Sequence, residues 1–222
     1  MSTCRWAGWL LAAMLLAGCS ATGQHAVLLE AGNPSGSVAA ARAPARLFVD
    51  AHAILILRHA DIDPAAKARM GNQTPLLPRG QKRAEEVVTA LADAGVTRIV
   101  TSTSLRTQDT AAPLAKALHI TLEVPFGHGS EANGAGAMPK ADEAETVFAY
   151  LAQTAKPSET ILLVDHHSVI PTLMADFGFA QEPAFDDATE FDRVYVILPD
   201  AAHHTYHLLR LRYGGDWGAL GK

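Results

Sequence analysis

The chain has 222 residues, a formal net charge of −5 and an apolar fraction of 49%, enough for one substantial folded domain with appended segments. The acidic balance excludes non-specific nucleic-acid binding, which needs a basic face. It does not exclude a small anionic substrate, because a local arginine cluster outweighs net charge. The 2 cysteines, Cys4 and Cys19, both lie at the start of the chain, so the remainder has neither an internal disulfide nor a thiolate metal site.

Met1–Ser20 combines a single charge, Arg5, with an apolar run from Trp6 to Ala17. The run is too short for a spanning helix, which needs roughly 20 apolar residues, and the arrangement is that of a secretory signal. Leu16-Ala17-Gly18-Cys19 resembles the bacterial lipobox. The resemblance implies cleavage before Cys19 and a diacylglyceryl group on its sulfur, with two or three acyl chains giving stable membrane anchoring where one would not suffice. Ser20, in place of Asp after the cysteine, implies the outer membrane of a Gram-negative envelope, on the periplasmic face. An ordinary signal peptide that contains a cysteine is the alternative. Ala21–Ala45 is rich in Ala, Gly and Ser, with Pro34 and Pro44, and reads as a flexible tether. Ala26–Leu29 is its one apolar patch, a candidate for docking on the domain. The expected organisation is a signal peptide over 1–18, a tether over 19–48 and a domain over 49–222.

Ala53–Leu57 (AILIL) is apolar throughout, the pattern of a strand buried on both faces. Gly80–Ala94 has Ala84, Val87, Val88 and Leu91 at helical spacing, with Gly95 as a stop signal. Arg98–Val100 reads as a second strand, and Thr107–Leu118 as a helix that Pro113 kinks or delays. Ile120–Val124 is expected as a strand, Lys140–Ala155 as a helix and Ile161–Val164 (ILLV) as another buried strand. Val169–Phe177 reads as a helix with Pro171 in its first turn. Val194–Leu198 and Tyr206–Leu211 form a final strand pair with Pro199-Asp200 in the turn. Alternating strands and helices imply a mainly parallel sheet covered on both sides, an α/β/α sandwich of three layers. Ligands in such sheets bind beyond the carboxyl ends of the strands. Arg58-His59, Ser102–Arg106 and Asp165-His166-His167 follow strands, and are expected to converge there.

Two arginines and two histidines at strand ends suit phosphoryl transfer. Guanidinium forks pair with phosphate oxygens, the reaction depends on positioning and charge stabilisation, and a neutral imidazole can form a covalent intermediate. Leu57-Arg58-His59-Ala60 resembles the LRHA or LRHG motif of the histidine phosphatase superfamily. Leu76–Gly80 (LLPRG) is similar to its L-T-x-x-G helix start, and Thr101–Thr110 (TSTSLRTQDT) to its S-x-x-x-R-T-x-x-T segment. Val164-Asp165-His166 is similar to the V-G-H of its second histidine, and Glu190–Gly214 to the tail of short bacterial members. The resemblance runs from about residue 53 to residue 214. It implies a phosphoglycerate mutase-like fold and a phosphatase, independent of metal and cofactor, that hydrolyses a phosphomonoester or phosphohistidine. Carried over by position, His59 is the nucleophile that becomes phosphohistidine, Arg58 and Arg106 clamp the phosphate, and His166 donates a hydrogen bond to it. Glu131, at the family's spacing after Arg106, is the candidate proton donor; a solvated loop carboxylate is its other reading, and Asp61 is a second candidate. The substrate is a small phosphorylated molecule or a phosphohistidine protein.

Leu77 replaces the family's usual Thr and costs a local helix cap. Asp165 replaces the usual Gly: its carboxylate either repels phosphate, or keeps His166 cationic, or points away from the pocket. The competing function is a non-catalytic phosphate-ligand-binding envelope lipoprotein, and a mutase ranks third because the chain lacks obvious insertions for a two-ended substrate. The remaining histidines, His203, His204 and His207 among them, show no ligand spacing with carboxylates, so no metal site is expected. His167 is expected at the pocket rim, the loop Phe126–Lys140 in the pocket wall, Trp217 in packing, and Glu143 and Glu145 on the wet face of a helix.

Overall fold

The computed structural model describes residues 47–127, 140–179 and 189–214. The leader with Cys19, the tether with Ala26–Leu29, Glu131 and Trp217 lie outside the described residues.

The strands are β1 (Ala53–Arg58), β2 (Arg98–Ser102), β3 (Leu122–Phe126), β4 (Thr160–Asp165), β5 (Arg193–Asp200) and β6 (Thr205–Arg212). They form a 6-stranded sheet in the order β3-β2-β4-β1-β5-β6. The first four pair in parallel, while β5 runs antiparallel to β1 and β6 antiparallel to β5. The continuous apolar runs become β1 and β4, buried at every position, as parallel strands covered on both faces must be.

The helices are α1 (Pro64–Met70), α2 (Pro78–Leu91), α3 (Leu105–Leu118), α4 (Lys140–Thr154) and α5 (Ile170–Asp176). Side-chain alternation along the strands divides the core. Ile54, Ile56, Ile161 and Leu163 pack with Val147 and Leu151 of α4 and Leu173 of α5. Leu55, Leu57, Leu162 and Val164 pack with Val87 and Leu91 of α2 and Leu114 of α3. The result is a mixed α/β fold in three layers. Where the chain enters, Phe48 stacks on Tyr206 and the Val49 amide donates to the Tyr206 hydroxyl at 2.7 Å.

Several local expectations change. α1 was not expected, although Asp63-Pro64 is a helix-start pair: Asp63 Oδ1 accepts the Ala65 amide at 2.9 Å and Pro64 takes the first turn. α2 starts at Pro78, and its N-cap Leu77 makes no side-chain cap bond. α3 starts two residues earlier than Thr107 and continues through Pro113, which places Arg106 in its first turn. β3 is displaced from Ile120–Val124 to Leu122–Phe126 because His119 takes a left-handed conformation and the Ile120 amide closes α3 on Ala115 O at 2.9 Å. Pro199 and Asp200 belong to β5, opposite Tyr206 and Thr205, so residues 201–204 make the turn.

Parallel register brings the reactive segments to one edge. Arg58 lies opposite Asp165 across β1 and β4, and Thr101 opposite Val164 across β2 and β4. The residues that follow these three strands therefore share the carboxyl edge of the sheet.

Candidate active site

His59 leaves the end of β1 with its amide donating to Asp165 O at 2.9 Å, so the β1–β4 ladder continues one step past the strand and fixes the backbone beneath the ring. The side chain is buried, and its Nδ1 lies 2.8 Å from Ala60 O. A carbonyl only accepts, so Nδ1 carries the hydrogen and the lone pair is on Nε2. Nε2 is buried and has no hydrogen-bond partner among the described residues. Burial holds the imidazole pKa well below its ordinary value of 6.5, and the positive charges of Arg106 and Arg58 and the neighbouring His167 add to that, against the opposing bond to Ala60. His59 is thus a neutral imidazole whose buried Nε2 lone pair has no hydrogen-bond partner among the described residues.

Arg58 and Arg106 are buried at 3% and 1% exposure. The Arg58 guanidinium lies over the Phe191 ring at 3.9 Å and donates to Glu190 O at 2.9 Å, a stack that fixes the plane of the fork. Arg106 donates to Gly71 O at 3.1 Å, which ties the first turn of α3 to the segment after α1. Two buried guanidinium groups at one imidazole make a strong site for a phosphate dianion.

His166 follows β4, and its ring centroid lies 5.3 Å from that of His59. Its Nε2 is 3.2 Å from Ser102 Oγ. The Thr107 hydroxyl donates to Ser104 O at 2.7 Å, so the 3.0 Å contact between Thr107 Oγ1 and Ser102 Oγ uses the serine proton. Ser102 Oγ is then the acceptor toward His166, whose Nε2 carries a hydrogen. Thr110 accepts the Ala60 amide at 2.8 Å while donating to Arg106 O at 2.7 Å. The hydroxyls of the TSTSLRTQDT segment thus tie α3 to both histidine segments. Their individual partners were not legible in the sequence, although the segment itself was.

Asp61 does not stand ready as a proton donor. Arg83 Nε reaches its Oδ2 at 2.6 Å and Arg79 Nε its Oδ1 at 3.1 Å, so the carboxylate bridges the nucleophile segment to α2. Gly80 completes this junction: a Cβ there would lie 2.3 Å from Asp61 O. The cleft beside it, about 450 Å³, is lined by Ile62, Asp63, Pro64, Leu77, Pro78 and Arg79 and by none of Arg58, His59, Arg106 and His166.

Asp165 is fully buried, and its Oδ1 accepts the His166 amide at 2.8 Å. It neither points to solvent nor sits alone. Burial, helped by the negative charge of Glu143, pushes its carboxyl well above the usual carboxylate range, against the opposing pull of the His166 amide and of Arg106. Glu143 is itself only 2% exposed, which corrects its expected place on the wet face of α4. Glu143, Val147 and Leu151 repeat every fourth residue and share one buried stripe. His167 is partly buried beside the site, in keeping with its expected place at the rim.

Residues 54–125 match the family model of the Histidine phosphatase superfamily (branch 1). No curated protein matches the chain. Among solved structures, the protein histidine phosphatase SixA complexed with tungstate is similar at a TM-score of 0.54 and 18% identity, over 72% of this chain and 96% of that one. A mycobacterial glucosyl-3-phosphoglycerate phosphatase gives 0.53 and 18%, over 71% and 96%, and Bacillus stearothermophilus YhfR gives 0.52 and 20%, over 70% and 94%. At such identities the structural likeness shows the fold.

Proposed function

We propose that the chain is a histidine phosphatase that hydrolyses a phosphomonoester or a phosphohistidine through a phosphorylated His59. The observation that carries this reading is the bare, buried Nε2 of His59, with its tautomer set by Ala60 O and two guanidinium groups close by. The Nε2 lone pair attacks phosphorus, the bond from phosphorus to the leaving atom breaks, and that atom takes a proton. Water then attacks the phosphohistidine, its P–N bond breaks back to Nε2, and inorganic phosphate departs. Arg58 and Arg106 neutralise the equatorial oxygens and His166 donates to the transferring group, so the charge stabilisation comes from the protein's own cations. Glu131 is assigned as the proton donor for alkoxide leaving groups. The lipobox-like leader supports anchoring through Cys19 at the periplasmic face of the outer membrane.

The domain without its leader is expected to release phosphate from p-nitrophenyl phosphate or from a phosphohistidine donor. His59→Ala should abolish this, and mass spectrometry of acid-avoiding digests should find the trapped phosphate on His59. Equal activity in the variant would remove His59 as the nucleophile. Tight phosphate binding without hydrolysis of any ester favours the second reading, a phosphate-binding lipoprotein, which the buried carboxyls next to the cage keep in view.

A further inference from the structure

A phosphate cage has no evident use for buried acids, yet this one has two. Asp165 is 0% exposed and Glu143 2%. Asp165 ends β4 opposite Arg58, and its backbone carbonyl holds the His59 amide at 2.9 Å. Its Oδ1 holds the His166 amide at 2.8 Å and lies 4.0 Å from His166 Nε2. Its Oδ2 is buried with no hydrogen-bond partner among the described residues. One residue therefore touches both histidine segments, through its backbone on one side and its side chain on the other.

The charges around it come from every packed element. Arg58 and His59 face it from β1 and its end, Arg106 acts on it from α3, Glu143 from α4, and His166 is its own neighbour. An ionised Asp165 would offset part of the guanidinium charge that attracts phosphate. A buried carboxylate oxygen lacking a donor is also expensive, whereas a protonated one is not. Glu143 makes ionisation of its neighbour harder still.

We propose that Asp165 is a proton-sensitive positioning residue for His166, so that phosphate is held while its buried carboxyl keeps a proton and is let go when the carboxyl loses it. The inference rests on the phosphatase reading for the identity of the ligand. With the proton in place, Asp165 is neutral and the cage keeps its full positive charge. Loss of the proton leaves a negative charge 4.0 Å from His166 Nε2. That charge repels the phosphate dianion and offsets the positive field that the site offers it. Asp165 acts through His166 and the field of the site, and is not a group that meets the reacting atoms.

Inorganic phosphate binding to the full chain, measured by calorimetry at a series of pH values from the ordinary carboxylate range upward, tests this. Asp165→Asn keeps an oxygen for the His166 amide and removes the titration. Because phosphate's own ionisation is common to both proteins, it cancels in the ratio of their Kd values. That ratio, wild type over variant, should rise by about tenfold or more across the range. A flat ratio overturns the proposal. Glu143→Gln provides a second arm should the first variant fail to fold. It removes the charge that resists Asp165 ionisation, so weakening of phosphate binding should begin at lower pH than in wild type; an unmoved profile overturns the proposal. A purely structural role would change stability and leave both profiles parallel. Wild type that binds no phosphate at any pH overturns this inference and the phosphatase reading together. Wild type with the pH-dependent binding but no phosphorylated His59 upholds the inference and sinks only the phosphatase reading.

Discussion

Replacing Arg83 by Met should destabilise the domain severely. Arg83 is 2% exposed and its Nε lies 2.6 Å from Asp61 Oδ2; the Asp61 side chain is 5% exposed. The remaining partner, Arg79, approaches at 3.1 Å but is 53% exposed, and it cannot replace a buried guanidinium in a water-free contact. Breaking a buried pair by removing one member costs about 3–5 kcal/mol, because the other charge stays buried. For a domain of this size each kcal/mol lowers Tm by about 2–4 °C, so a fall of about 6–20 °C is expected. Urea unfolding followed by circular dichroism gives the free energy directly, provided the slope is unchanged. The double variant Asp61→Leu/Arg83→Met removes both charges and should be more stable than Arg83→Met alone. A loss in Arg83→Met below about 0.5 kcal/mol, the range of ordinary surface changes, would refute the reading of Asp61 as a buried bridge and return it to the list of proton donors.

Two further outcomes follow from the site. Ser102→Ala removes the oxygen that receives His166 Nε2–H at 3.2 Å; a hydrogen bond of this kind to a charged group is worth about 1.5–3 kcal/mol, so kcat/KM should fall about tenfold to a hundredfold if His166 is cationic in the transition state. Steady-state kinetics on p-nitrophenyl phosphate checks this, and an unchanged kcat/KM would remove Ser102 from the relay. Acid stability tests the burial of neutral His59. Its folded pKa lies below its ordinary 6.5, so between those two values the unfolded chain binds the extra proton and stability rises with pH. The stability is complete above the unfolded value and drains away as pH falls below it. His59→Gln should lose that acid-side slope in Tm, and identical slopes in the two proteins would count against the lowered pKa.

Much of the framework was legible because its signals are local. The runs AILIL and ILLV have no polar face, so burial on both sides was the one arrangement open to them. Errors gathered where a tertiary contact or a cap overrides periodicity. Pro113 suggested a late or bent α3, yet the turn around Ser104 and Thr107 is held by side-chain hydroxyls and starts the helix earlier. β3 moved because Ile120 is used to close the preceding helix. α1 was overlooked because it has no buried residue, and so no apolar stripe to detect.

The site divides in a similar way. His59, Arg58, Arg106 and His166 announce themselves, since such side chains at strand ends have few structural uses. Glu143 did not, because a charge in the first turn of a helix is ordinarily solvated and favoured there. Its position one turn before Val147 and two before Leu151 carried the opposite message, and the apolar stripe was the stronger guide. Asp165 shows why the remainder needed three dimensions. From sequence its carboxylate had three incompatible roles, and the choice depends on which groups lie across the sheet from it. Arg58 lies opposite in register and the His59 amide is bonded to its carbonyl, while the negative charge of the buried Glu143 acts on it from α4. With these neighbours, Asp165 is a buried acid whose carbonyl holds the amide of one histidine and whose side chain holds the amide of the other. The proposed turnover at His59 therefore has to include the buried Asp165 carboxyl.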